Sequence, residues 1–224
     1  MKFRQHIPNA ITCLNLVAGS FAVYFALNDD YRSALIAVLI AGLFDFLDGM
    51  AARVLKAYSP MGKELDSLAD MVSFGLVPGM LAFSLLTNSL WPDWVRFVGF
   101  ILPVFSALRL AKFNIDVRQS NSFIGLPTPS NAIFWAGAAY AFDGLLIQYP
   151  WLVLLLVPLF SYLLISPLPM FSLKFANMRC SDNKLQFIFL GGCVALLIAL
   201  GFKAFAPIIL WYIACSLVTA KKAK

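Results

Sequence analysis

The chain has 224 residues, 61% of them hydrophobic and 12% charged, about half the ~25% charged share usual in soluble proteins. Such a composition excludes a disordered, collagenous or small disulfide-scaffold protein, and its few charged side chains cannot cover a soluble globule. The net charge of +6 is read as attraction to anionic lipid, with no nucleic acid as partner, and at about 20 residues per span roughly eight membrane helices fit.

In chain order, the apolar runs predict spans over Ile11–Leu27, Ala34–Arg53, Leu65–Leu86 and Trp94–Ala111. A polar loop follows through Gln119-Ser120-Asn121-Ser122. Further spans are expected over Asn131–Leu146, Trp151–Met170, Leu185–Phe202 and Pro207–Ala220, with Pro158, Pro167 and Pro169 kinking or ending the sixth. The expected fold is an all-α polytopic membrane helix bundle forming one domain over 1–224. The first apolar run is expected to be retained, because no clear small-residue cleavage site follows it. Cys13, Cys180, Cys193 and Cys215 form no CxxC, and His6 is the one histidine, so neither a disulfide framework nor a zinc site is expected.

Basic residues set the expected orientation. Lys2, Arg4, Arg53, Lys56, Lys63, Arg109, Lys112, Arg118, Lys174, Arg179, Lys184, Lys221, Lys222 and Lys224 fall on one side, and Arg32, Arg96 and Lys203 on the other. The first side is expected to be cytoplasmic, with both termini on it, in the cell's inner membrane.

Ionisable groups inside spans are costly and mark function. Asp45 and Asp48 stand three apart near the end of the second span, and Asp66 and Asp70 four apart at the start of the third. Those spacings put each pair on one helix face, and a short connection makes the helices antiparallel neighbours, so the four carboxylates converge at one depth. Such a cluster repels itself unless a hard cation neutralises it, which suits Mg²⁺, Mn²⁺ or Ca²⁺. Gly49 and Ala52 clear bulk beside the acids, Gly62 is expected to let the chain turn tightly into the third span, and Arg53 offers a guanidinium to a phosphate. A metal-ion transporter using intramembrane acids is the alternative, although the acids lie near one face rather than at the midplane.

Written out, Asp45-x-x-Asp48-Gly49-x-x-Ala52-Arg53-x8-Gly62-x3-Asp66-x3-Asp70 resembles the signature of the CDP-alcohol phosphatidyltransferase family, and every signature position matches. The segments Pro8-Asn9-Ala10-Ile11-Thr12-x-x-Asn15, Asp66–Gly75, Arg109–Asn114 and Gly125-Leu126-Pro127-Thr128-Pro129 look like its phosphatidylserine synthase branch. The resemblance implies a homodimer with six core helices over about 7–174 and two extra C-terminal helices over about 185–220. It implies a metal-dependent transfer of the phosphatidyl group of CDP-diacylglycerol to L-serine, giving phosphatidylserine and CMP. Glycerol 3-phosphate or inositol phosphate is the alternative acceptor. By position, Asp45, Asp48, Asp66 and Asp70 would hold the metal, and Asp70 would also be the general base. Gly49, Ala52, Arg53, Gly62, Thr12 and Asn15 would form the CDP and phosphate site. Arg109, Lys112, Asn114, Arg118 and Ser130 are the candidates for serine or the lipid phosphate, and Thr128, Ser130 and Asn131 are expected to cap the fifth helix.

Overall fold

The computed structural model describes residues 2–115, 123–171 and 183–222. Five helical stretches are long and apolar enough to cross a membrane: His6–Leu27, Tyr31–Val54, Pro60–Thr87, Asp93–Ile115 and Lys184–Thr219. The last of these folds back on itself, as described below. The chain is an all-α membrane bundle.

Helix α1 (Lys2–Leu27) and α2 (Tyr31–Val54) form a close antiparallel pair. Their contact is built from alanines, with Ala18, Ala22 and Ala26 buried on α1 and Ala34, Ala37 and Ala41 on α2. Small side chains let two backbones approach where lipid gives no hydrophobic drive to associate. The outer faces carry exposed Leu14, Val17, Phe21, Ile36 and Ile40, as a lipid-facing surface should.

The third span is one helical rod with a defect in it. Helix α3 (Pro60–Asp70) passes into a π-helical turn (Met71–Leu76) and then into α4 (Val77–Thr87). Pro78 has no N–H for the carbonyl of Phe74 and its ring crowds that carbonyl, which explains a widened turn directly before it. The π turn follows Asp70 and packs on α1: a Cβ on Gly19 would sit 2.7 Å from the Ser73 Cα.

A 3₁₀ segment (Asp93–Phe100) leads into α5 (Ile101–Ile115), and Gly79 and Gly99 let it cross α4 backbone to backbone. Helix α6 (Thr128–Gln148) is the centre of the bundle, with Trp135 wholly buried and Phe134 stacked on Phe160 at 3.9 Å between centroids. Helix α7 (Pro150–Ile165) ends five residues short of the expected Met170. Pro167 drives Ser166 to an extended conformation (ψ 152°), and Pro169–Met170 becomes strand β2, paired antiparallel with β1 (Phe123–Ile124). Helices α8 (Lys184–Leu200) and α9 (Phe205–Lys222) are separated by a reversal at Gly201 (φ +54°), and the Trp211 ring of α9 lies against Gly192 of α8. The expected helical segments are all present among the described residues, with α1, α2, α3 and α6 starting three or more residues earlier than expected, at Lys2, Tyr31, Pro60 and Thr128.

Candidate active site

The acids converge. One carboxylate oxygen from each of Asp45, Asp48 and Asp66 lies within 4.8 Å of the others. Asp70 stands next to this group of three, its side chain within hydrogen-bonding reach of Asp45. Asp48 Oδ2 and Asp66 Oδ1 are enclosed by protein, yet no donor meets either one. Buried oxygens without donors are costly. An acceptor-only set of this density is what a hard divalent cation requires, so the residues present fit Mg²⁺, Mn²⁺ or Ca²⁺.

Asp70 is held from α1. Asn15, fully buried, donates Nδ2–H to Asp70 Oδ1 at 3.3 Å, and the Ser73 hydroxyl donates to the Asn15 carbonyl at 3.0 Å. The two bonds depend on Gly19, because any side chain there would strike Ser73 and lift α1 from the π turn. Asn15 thus stands beside Asp70 and is not among the residues that line the adjoining cavity, although the resemblance implies a place for it in the CDP site.

That cavity, about 540 Å³, joins the acids to the end of the bundle. Thr12, Asp48, Gly49, Ala52, Gly62 and Asp66 all line it, so these six expected residues are brought together. Thr12 Oγ lies 3.0 Å from the Pro8 carbonyl and also beside Asp48, and its single proton serves one of them. Asn9, Tyr58 and Lys63 line it too and were missed, since none belongs to an acidic pair or to the signature spacing. Arg53 is exposed at the rim beside Gly49, and its Nε–H donates to the Gly49 carbonyl at 3.1 Å. Gly62 has a different role from the expected turn. The left-handed residue of the connection is Lys56 (φ +50°), and Ser59 caps α3 through the Gly62 N–H at 3.0 Å. Gly62 is helical and bare because Asn9 Oδ1 would lie 3.0 Å from a Cβ there.

The second cationic group separates on folding. Arg109 is buried, its guanidinium 5.0 Å from the Phe113 ring centroid. The one ion pair among the described residues joins Arg96 and Asp93, at 3.9 Å, so no described carboxylate pairs with Arg109. Lys112 is exposed. Asn114 spends its amide N–H on Ser67 Oγ at 2.8 Å, and its carbonyl accepts from Lys63 Nζ at 3.4 Å, which fastens the end of α5 to α3. Arg118 lies outside the described residues. Ser130 is half-buried, and the expected cap of α6 is not made: no side chain caps the helix, while Thr128 Oγ and both amide atoms of Asn131 are buried without partners.

A protein named CDP-diacylglycerol–serine O-phosphatidyltransferase from Bacillus subtilis is 40% identical over 129 residues, 56% of this chain and 70% of that protein. One of the same name from Mycobacterium leprae is 33% identical over 180 residues, 74% of this chain but 58% of that protein. One from Saccharomyces cerevisiae is 34% identical over 151 residues, 60% of this chain and 54% of that protein. The chain thus matches little more than half the length of the mycobacterial and yeast proteins. The sequence profile of the CDP-alcohol phosphatidyltransferases matches residues 5–166, most of the chain and all four acids, and the chain belongs to that family.

Proposed function

We propose that this protein transfers the phosphatidyl group of CDP-diacylglycerol to L-serine, giving phosphatidylserine and CMP. The observation that carries the reading is the cluster of acids beside a cavity, with enclosed Asp48 and Asp66 oxygens that meet no donor. The names of the relatives supply the acceptor.

Asp45, Asp48, Asp66 and Asp70 would hold Mg²⁺ or Mn²⁺, with Ca²⁺ the other hard candidate. When bound, the metal offsets the charge of the pyrophosphate and of the departing CMP. Thr12, Gly49, Ala52 and Gly62 give the CDP group its space, and Arg53 at the rim offers its remaining N–H donors to phosphate. Asp70 removes the proton of the serine hydroxyl, and Asn15 fixes the carboxylate for that transfer. The serine oxygen then bonds to the lipid phosphorus as the bond from phosphorus to the bridging oxygen of CMP breaks, its electron pair leaving on CMP. Arg109 binds the serine carboxylate, a task a planar guanidinium performs with two parallel bonds.

The site faces the cytoplasm, both termini lie on that side of the inner membrane, and the protein works as a homodimer. Residues 7–174 form the catalytic core. Purified protein given CDP-diacylglycerol and a panel of labelled alcohols tests the reading: labelled phosphatidylserine should form with one CMP released per lipid. Turnover of glycerol 3-phosphate with none of serine would overturn it.

A further inference from the structure

The acids occupy only one end of the cavity. Asp48 stands six residues before the end of α2 at Val54, and Asp66 six residues after the start of α3 at Pro60. At the rise of an α-helix, the connection between the two helices therefore lies about 9 Å beyond the carboxylates. A ribose bridges that interval between the phosphate and the base of a nucleotide. A nucleotide with its phosphates at the acids thus carries its base to the outer end of the cavity. Pro8 and Asn9 of α1, Ala57, Tyr58 and Ser59 of the connection, and Pro60 wall that end. The backbone there is held on both sides of Tyr58. Lys56 turns the chain in a left-handed conformation (φ +50°), and the Ala57 N–H donates to the Ala52 carbonyl at 2.9 Å. On the other side Ser59 caps α3 through the Gly62 N–H at 3.0 Å. Ala57 is buried, whereas Tyr58 is 70% exposed, and no hydrogen bond or ring contact among the described residues engages its side chain. Tyrosine is also common at membrane interfaces, but a residue of that belt faces lipid, and Tyr58 lines the cavity.

We propose that Tyr58 is the platform of a nucleobase subsite: its ring stacks on the cytosine of the bound nucleotide at the outer end of the cavity, opposite the acids. A planar base has a π-face to offer, and the flat apolar walls from Pro8, Ala57 and Pro60 suit it. Stacking uses the ring of the tyrosine and not its hydroxyl. The nucleotide is then held at two separated points, its phosphates at the acids and its base at the connection. The base takes no part in bond breaking, so the ring grips it equally before and during the transfer. Tyr58 therefore contributes to the KM for CDP-diacylglycerol and hardly at all to kcat.

The proposal rests on the reading that this cavity takes the CDP group, and the test separates the two. Binding of CMP to the purified full chain is measured by calorimetry in the presence of Mn²⁺, for wild type, Tyr58→Phe, Tyr58→Leu and Tyr58→Ala. Binding of Mn²⁺ alone is measured on the same preparations, to show that the acid end is intact. Tyr58→Leu and Tyr58→Ala should weaken CMP about tenfold or more, the effect of removing an aromatic partner from a stacked base. Tyr58→Phe should stay within about twofold of wild type, and Mn²⁺ affinity should be the same in all four. In the steady-state assay the KM for CDP-diacylglycerol should rise in Tyr58→Leu by the same factor as CMP weakens, with kcat and the KM for serine unchanged. CMP affinity in Tyr58→Leu equal to that of Tyr58→Phe would overturn the proposal, because an aliphatic side chain would then serve as well as a ring. A parallel loss of Mn²⁺ affinity would also overturn it, since Tyr58 would then act by shaping the acid end. A wild type that binds Mn²⁺ but not CMP would instead overturn the reading of the cavity as the CDP site.

Discussion

Acids stand at both ends of the α1–α2 pair, and the protein treats them in opposite ways. At the connection between the helices, Asp29 Oδ1 receives the Ser84 hydroxyl at 2.6 Å, the Asn88 amide at 2.8 Å and the Tyr31 hydroxyl at 3.3 Å. Its neighbour Asp30 caps α2 by accepting the Ser33 N–H at 3.0 Å, and hydrogen bonds from the Ser33 side chain and backbone hold its carboxyl below the ordinary carboxylate range. At the other end, Asp45, Asp48 and Asp66 crowd together, and two of their enclosed oxygens meet no donor at all. The residue type is the same, so the difference lies in what the chain supplies. Where protein donors complete the carboxylate it ties helices together; where they are withheld, the fold holds a site that only a ligand completes.

The strongest way to break this comparison is to remove the missing partner. Chelation of divalent metal should abolish turnover, and Mg²⁺ or Mn²⁺ should restore it. Asp45→Asn, Asp48→Asn and Asp66→Asn should each lower kcat/KM by roughly a hundredfold or more, as loss of transition-state charge stabilisation does. In metal-free detergent their unfolding temperatures should hold or rise, because each change relieves repulsion among crowded like charges. A large fall in metal-free stability would mean that these acids support the fold, and the contrast with Asp29 would be lost. Asp70→Asn comes next. It should lower kcat by ~10²–10⁴, the range of a lost general base, while CMP and metal still raise the unfolding temperature. Near-normal turnover would remove Asp70 from the base role. Arg109→Ala should follow, raising the KM for serine by the equivalent of ~2–5 kcal/mol and leaving that for CDP-diacylglycerol much less changed.

Most of the catalytic end was legible because its signals are local. Spacings of three and four place Asp45 with Asp48 and Asp66 with Asp70 on helix faces, and the short connection between α2 and α3 brings those faces together. The apolar runs marked the helices for the same reason. What escaped depends on contacts between distant segments. The resemblance implies a nucleotide ligand at Asn15, whereas its amide bond to Asp70 depends on α1 lying against the π turn at Gly19 and Ser73. Gly62 looked like a turn residue, whereas its bareness serves Asn9 from another helix. Thr128 and Asn131 have the residue types and position of a cap, but α6 is buried around its first turn, and there the side chains point into protein.

The smallest effect on catalysis is expected at the satisfied end, and it sharpens the comparison from the other side. Asp29→Ala removes the acceptor shared by three donors. Two of them, the Tyr31 and Ser84 hydroxyls, are buried but retain each other at 2.8 Å, and the exposed Asn88 amide finds water. The lost hydrogen bonding should therefore cost only about 1–2 kcal/mol. Asp29 also has a left-handed backbone (φ +58°), which Ala tolerates worse than Asp or Asn by roughly 1 kcal/mol more. Together these should lower the unfolding temperature by several degrees in a chain of this size. Asp29→Asn keeps an acceptor oxygen and the tolerance for that backbone, so it should unfold close to wild type. Neither change should move kcat by more than about twofold, because Asp29 sits at the opposite end of α2 from Asp45 and Asp48. Thermal unfolding in detergent beside a steady-state assay reads both quantities from one preparation. Loss of turnover in Asp29→Ala at unchanged stability would make the satisfied acid a functional one, and hydrogen-bond completeness would no longer separate the two ends.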